Sequence, residues 1–327
     1  MDYERINACM DEFLNETSNG VYIDVFEGIK NLCRDILHKN PLPINNSNYS
    51  RTFSINESIN IIVSFLDTLD PMLTEQFLNI INRVDENGEP TVRFINANKD
   101  YYDKHPEELT DALKEELKTD SRVSNGHIYM HVTGTMDDIF VLTHEMFHYM
   151  NRHRIIEVTE NGEIGAKQQN FSRYFYTEAV SIIAEKLLGQ YLLENGFINQ
   201  NDYNLRMNNR FESVKKSALI VLTETNMFDL RHQGKDFNDD VVNNFTSYIN
   251  EDEIISNDMK NTRVASMIAY NISKNGRFLF PSSQRYVVAM GLSDKFDYTP
   301  EKIEKFVEFN REVGNPEATF SNISKSI

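Results

Sequence analysis

The sequence is poor in cysteine, with only Cys9 and Cys33 in 327 residues. Both lie in apolar helical patterns near the N-terminus, and two isolated thiols build no disulfide framework, so a reducing compartment fits better. Long hydrophobic runs are also lacking. No window approaches the roughly 18 consecutive apolar residues that a membrane-spanning helix needs, so no membrane segment is expected. The opening residues, MDYERINACMDEF, hold no basic stretch followed by an apolar one, so no secretory leader is expected. Cytoplasmic is therefore the default location, with non-classical export left open. Positive charge is scarce: 33 Lys and Arg stand against 50 Asp and Glu, a formal net charge of −17. Such a chain repels phosphate backbones, which excludes nucleic acid as an expected partner, and its acidity reads as a well-solvated surface. There is no internal repeat. The hydrophobic fraction, 40%, is enough for a large core.

Apolar residues recur at helical spacing through most of the chain. Residues 4–38 predict one or two helices, broken near Ser18-Asn19-Gly20. PLPINNSNYS, from Pro41 to Ser50, is the clearest linker. Ser54-Ile55-Asn56-Glu57 is a capping box that starts a helix to about Leu69. Asp70-Pro71 ends it, and a second helix runs to about Val84. Residues 91–95 predict a short strand and residues 107–118 a polar surface helix. His127 to Val132 alternates with period two, the strongest strand signal in the chain. Thr135 and Asp138 then predict the cap of a helix over roughly 136–153. Residues 157–170 predict a loop, and Ser172 caps a helix to about Glu194. Further helices are expected near 201–222, 238–250, 260–273, 284–294 and 300–313. The expected fold class is mainly α with a small mixed or antiparallel sheet, α+β.

His144-Glu145-Met146-Phe147-His148 matches H-E-x-x-H. Positions i and i+4 lie one turn apart on one helical face, so both imidazoles can reach one ion. Glu145 lies beside that face, where a carboxylate can take the proton of an attacking water. Zinc lowers the pKa of its water toward about 7, which makes this chemistry feasible at neutral pH. A chance match in a chain with this histidine content is expected on the order of one time in a hundred. The capped helix and the strand before it are the surroundings a zincin needs.

A catalytic zinc needs a third protein ligand. The metzincin continuation is absent, since residues 151 and 154 are Asn and Arg. His153 falls off the ligand face. Glu178 stands in an otherwise apolar helix, where a carboxylate needs a reason to be buried, and metal ligation supplies one. Glu157, Glu160 and Glu163 are poorer candidates, in a loop without fixed geometry. Glu185 shares a helical face with Glu178; second-shell support of a ligating histidine, capping, or an ion pair all fit it.

HEMFH together with Glu178, Ser181 and Glu185 resembles the thimet oligopeptidase and oligoendopeptidase F family of gluzincin peptidases. The approach NGHIYMHVTGTMDDIFVLTHE and the segments SQRYVVAMGL and YTPEKIEKFVEFNREVGNPEATFSNI are similar to that family as well. The likeness runs from about residue 52 to about 325. It implies a zincin-like catalytic domain over 52–327, preceded by a helical segment, 1–45. It implies zinc held by His144, His148 and Glu178, Glu145 as general base, and substrate backbone added to the 127–132 strand. Tyr286 is the implied donor to the tetrahedral intermediate, with Tyr270 and His232 as runners-up. The chain departs from the family at Phe147, where Gly is usual, and in the 29 residues between His148 and Glu178. The family's Gly-rich substrate loop and most of its N-terminal lobe are not visible. The expected activity is zinc-dependent hydrolysis of peptide bonds in a peptide or protein substrate. The alternatives are a secreted, host-directed metalloprotease and an inactive zincin-fold binding protein.

Overall fold

The computed structural model describes the backbone of residues 1–17, 21–160, 166–249 and 258–312. Side chains are described over the same residues except 16–17, 21–26, 152–160, 166–176, 258–260, 280–282 and 312. In chain order the elements are α1 (Tyr3–Thr17), α2 (Val21–His38), α3 (Ile55–Leu69), α4 (Pro71–Asn82), β1 (Val92–Asn96) and α5 (Lys99–Lys104). They continue with α6 (Asp111–Glu116), β2 (Arg122–Ser124), β3 (His127–Val132), α7 (Asp137–Glu160), α8 (Ala166–Glu194) and α9 (Gln200–His232). The last are α10 (Asp239–Asn243), α11 (Asp258–Asn275), α12 (Phe280–Ser293) and α13 (Pro300–Glu312). The fold is mainly helical with one small mixed sheet, as the periodicities predict. Among the described residues no helix is long and apolar enough to cross a membrane.

Met1–Pro41 and Asn208–Gly291 form one unit, and Leu42–Met207 with Leu292–Ile327 form another. In the first, α1 packs on α11, and Phe13 stacks on Phe228 at 4.4 Å, with Phe278 edge-on to Phe228. The expected 1–45 segment thus shares a core with residues from much later in the chain.

The second unit carries the H-E-x-x-H helix. Ser54 caps α3 as its capping box predicts, accepting the Glu57 amide at 3.2 Å. Asp70 closes α3 and caps α4, where Pro71 occupies the first helical position. The sheet has the order β1-β3-β2, with β1 parallel and β2 antiparallel to β3. Ile128 and Met130 are buried on one face, as the alternation predicts. Asn125-Gly126 turns β2 into β3 with both residues at positive φ, 50° and 78°. That is a two-residue hairpin turn, for which Asn-Gly is the strongest sequence signal. The 42–50 linker is pinned to the first turns of α9. The Asn45 and Asn46 amides donate to Asn201 Oδ1, and the Ser50 amide to Asp202 Oδ1.

Several expectations need correction. The 107–118 helix is split into a 3-10 turn at Pro106–Glu108 and a short α6 capped by Thr110, because proline and a second cap residue each start a new turn. The polar stretch 157–170 is not all loop. α7 continues to Glu160 and α8 begins at Ala166, so Ser172 lies inside a helix rather than at its start; residues 161–165 lie outside the described ones. α9 continues ten residues past its expected end at 222, to His232. The 127–132 strand is interior, with β1 along one side and β2 paired to residues 127–129 on the other. Beyond that pairing the His131 amide donates to Ser121 Oγ, so the strand has little free edge to which substrate backbone could add.

Arg122 ties α6 to the sheet. Its two Nη atoms lie 2.8 and 3.0 Å from the two oxygens of Glu116, whose Oε1 also lies 3.1 Å from His131 Nε2. The Arg122 guanidinium holds the Glu116 carboxyl well down, at about 2, against the opposing effect of burial; His131 lowers it further. A depressed folded pKa contributes stability above the unfolded value, near 4.5, that is lost as pH falls toward 2. Glu116→Gln should therefore flatten the acid limb of urea-unfolding stability between about pH 4.5 and 2 and leave its slope near pH 7 unchanged.

Candidate metal centre

The centre is built from the turn after β3 and the two helices that follow. Asp138, in the first turn of α7, reaches back to the strand end. Its carboxylate accepts the amides of Thr133 (3.0 Å) and Gly134 (2.7 Å) and the Thr133 hydroxyl (2.9 Å). Burial pushes this carboxyl up, against those hydrogen bonds. The expected cap thus works in the reverse direction: Thr135 contributes its backbone carbonyl, and the side chain that fixes the turn is Asp138.

α7 then carries His144 and His148 one turn apart, and α8 packs against it. Glu178 stands on α8 among Ala179, Val180, Ile182 and Ile183, all buried. The Ser181 hydroxyl, three residues on, donates to the His144 carbonyl at 3.1 Å and ties the two helices together at the ligand. His144 Nε2 and His148 Nε2 are 2.9 Å apart. Glu178 Oε1 lies 3.5 Å from His144 Nε2, and Glu178 Oε2 lies 3.4 Å from His148 Nε2. A cation about 2.0–2.1 Å from three atoms in tetrahedral arrangement sets them about 3.3–3.4 Å apart. The three expected ligands therefore fit one metal ion. Glu178 is 2% exposed, whereas the imidazoles are 12% and 20% exposed, so solvent reaches the group from the histidine side.

Glu185 is placed behind His144. Its Oε1 lies 2.7 Å from His144 Nδ1, and its Oε2 accepts Arg206 Nη2 at 2.6 Å. Two of the roles open to it are met together: it supports His144 and it pairs with an arginine. A carboxylate on Nδ1 fixes the tautomer and turns the Nε2 lone pair toward a metal. Arg206, on α9, also donates from Nη1 to Asp137 Oδ1 at 3.2 Å, and its guanidinium lies over the Phe140 ring.

Glu145 is nearly buried beside the ligands. Burial pushes its carboxyl up to about 7; His144 pulls it down, Glu178 and Glu185 push it up, and the Val123 backbone amide lowers it by hydrogen bonding. A dication held by the three ligands would favour the carboxylate. The short strand β2, which the periodicity reading missed, thus supplies a donor to this residue. Its Asn-Gly turn was the available signal.

Tyr286 is on α12 in the first unit, where its hydroxyl accepts Arg285 Nη2 at 3.0 Å. Tyr270 is an exposed residue of α11, and His232 ends α9, both in that unit. None of the three belongs to the unit that holds His144, His148 and Glu178. His127 lies 3.1 Å from the Pro90 carbonyl, and Tyr129 is sandwiched between the Arg93 and Arg122 guanidiniums. His131 pairs with Glu116. This face of β3 is engaged in packing the sheet. The side chains of His153, Glu157, Glu160 and Glu163 lie outside the described residues.

Phe147, the departure inside the motif, is a core residue. It is fully buried and meets Phe306 of α13 edge-on at 5.7 Å. Phe147→Gly should lower stability by about 4 kcal/mol or more, from the cavity and the helical glycine together, as read from the urea midpoint.

No family model, no curated protein and no solved structure matches this chain.

Proposed function

We propose that the protein is a zinc-dependent endopeptidase or oligopeptidase, with zinc held by His144, His148 and Glu178 and with Glu145 as general base. The observation that carries the reading is the convergence of two imidazoles and one buried carboxylate at 2.9–3.5 Å, with a second carboxylate next to the first ligand. A nitrogen and oxygen donor set suits zinc, and three protein ligands leave a fourth position for chemistry. Zinc bound there supplies Lewis acidity toward water and a peptide carbonyl.

The chain's own residues supply the rest. Glu185 holds His144 in one tautomer. Glu145 sits where desolvation raises its proton affinity, so it can take the proton of an attacking water and deliver it to the departing amine. A purely structural metal site needs no such base. The resemblance to the thimet oligopeptidase and oligoendopeptidase F family, carried by HEMFH, Glu178, Ser181 and Glu185, supports the same assignment and a zincin-like catalytic domain. The substrate is a peptide or protein.

The test compares wild type with Glu145→Gln on a peptide library read by mass spectrometry, alongside metal analysis of both proteins. The expected result is one zinc per chain in each and chelator-sensitive cleavage by wild type. The variant should lose about 10²- to 10⁴-fold in rate. Cleavage by the variant at the wild-type rate would falsify the role of Glu145. Zinc without cleavage by wild type would favour a zincin-fold binding protein.

A further inference from the structure

The polar contacts behind His144 do not stop at Glu185. Arg206 bridges Glu185 Oε2, at 2.6 Å, and Asp137 Oδ1, at 3.2 Å. The same Asp137 oxygen accepts the Tyr49 hydroxyl at 2.8 Å. Tyr49 belongs to the 42–50 strap, which carries no helix or strand of its own yet is fastened at several points. Asn201 Oδ1 accepts its Asn45 and Asn46 amides at 2.6 and 3.0 Å, Asn204 Nδ2 donates to the Pro43 carbonyl at 2.7 Å, and Asp202 takes the amide and hydroxyl of Ser50. Asn201, Asp202, Asn204 and Arg206 all stand on the first turns of α9. One short helical stretch thus fastens the strap and the arm behind the ligand.

Physical chemistry gives this arrangement a direction. Arg206 is only 12% exposed and Glu185 only 4%, so each requires the other to offset desolvation. Glu185 has two oxygens, one facing His144 and one facing Arg206, and the guanidinium fork sets the carboxylate plane. Asp137, at the start of the ligand helix, holds the other arm of the fork. Tyr49 holds Asp137 in turn.

We infer that Arg206, Asp137 and Tyr49 are positioning residues for the metal ligand His144, and that the 42–50 strap latches the centre through Tyr49. This rests on the metal-site reading above and goes beyond it, because none of the three residues is a ligand or a base. Lysine at 206 keeps the charge and cannot span both carboxylates. Phenylalanine at 49 removes one hydroxyl and keeps the ring.

The test uses the full chain and needs no substrate. Zinc affinity is measured by chelator competition, and Co2+ absorption in the visible reports ligand geometry, for wild type, Arg206→Lys and Tyr49→Phe. Arg206→Lys should weaken zinc binding about 10- to 100-fold, and Tyr49→Phe should weaken it less, with an altered cobalt spectrum in both. Should Arg206→Lys fail to fold, Tyr49→Phe alone decides. Wild-type affinity and an unchanged cobalt spectrum in the folded variants would overturn the inference while leaving the metal centre standing. Failure of the wild-type chain to bind either ion would remove the centre and the latch with it.

Discussion

A carboxylate in the interior of a helix pair is the constraint on which this second unit turns. Glu178 is 2% exposed, on a helix whose neighbouring positions are buried and apolar. A charge in such surroundings costs several kcal/mol unless opposite charge or donors meet it. What meets it are the two imidazoles of α7, at 3.4 and 3.5 Å. The close packing of α7 on α8, the bond from Ser181 to the His144 carbonyl, and the pinning of the strand end by Asp138 all serve to hold those imidazoles opposite that carboxylate. A cation shared by the three resolves the electrostatic problem more completely than the imidazoles alone, because it brings two positive charges into the same space.

The same logic is repeated one layer out. Glu185 would be another costly buried charge, and it is met by His144 on one oxygen and Arg206 on the other. Arg206 is met in turn by Asp137. Between His144 and the Tyr49 hydroxyl, Glu185, Arg206 and Asp137 alternate in charge, each offsetting the desolvation of the last. Glu145 stands outside this alternation. Desolvation and two neighbouring carboxylates raise its proton affinity, while His144 and the Val123 amide lower it.

What the sequence made legible was local. H-E-x-x-H sets two histidines on one helical face by spacing alone, the carboxylate in an apolar helix marked Glu178, and the period-two run marked β3. The capping box at Ser54 and the Asp70-Pro71 junction were legible for the same reason. The rest depends on residues distant in sequence. Arg206 meets Glu185 across 21 positions, Asp137 meets Arg206 across 69, and Tyr49 meets Asp137 across 88, and no periodicity encodes such pairings. The interior place of β3 was hidden because pairing order is set by topology, and β2 is only three residues long. Its Asn-Gly turn carried the information. Phe147 looked like a defect in the motif from sequence; its ring fills the core against Phe306.

The central claim is that His144, His148 and Glu178 hold one metal ion. Zinc-edge anomalous diffraction from crystals grown with zinc tests it most directly. The account predicts one peak about 2.0–2.2 Å from both imidazole Nε2 atoms and from a Glu178 oxygen. A peak bound elsewhere, or none among these three residues, would contradict it.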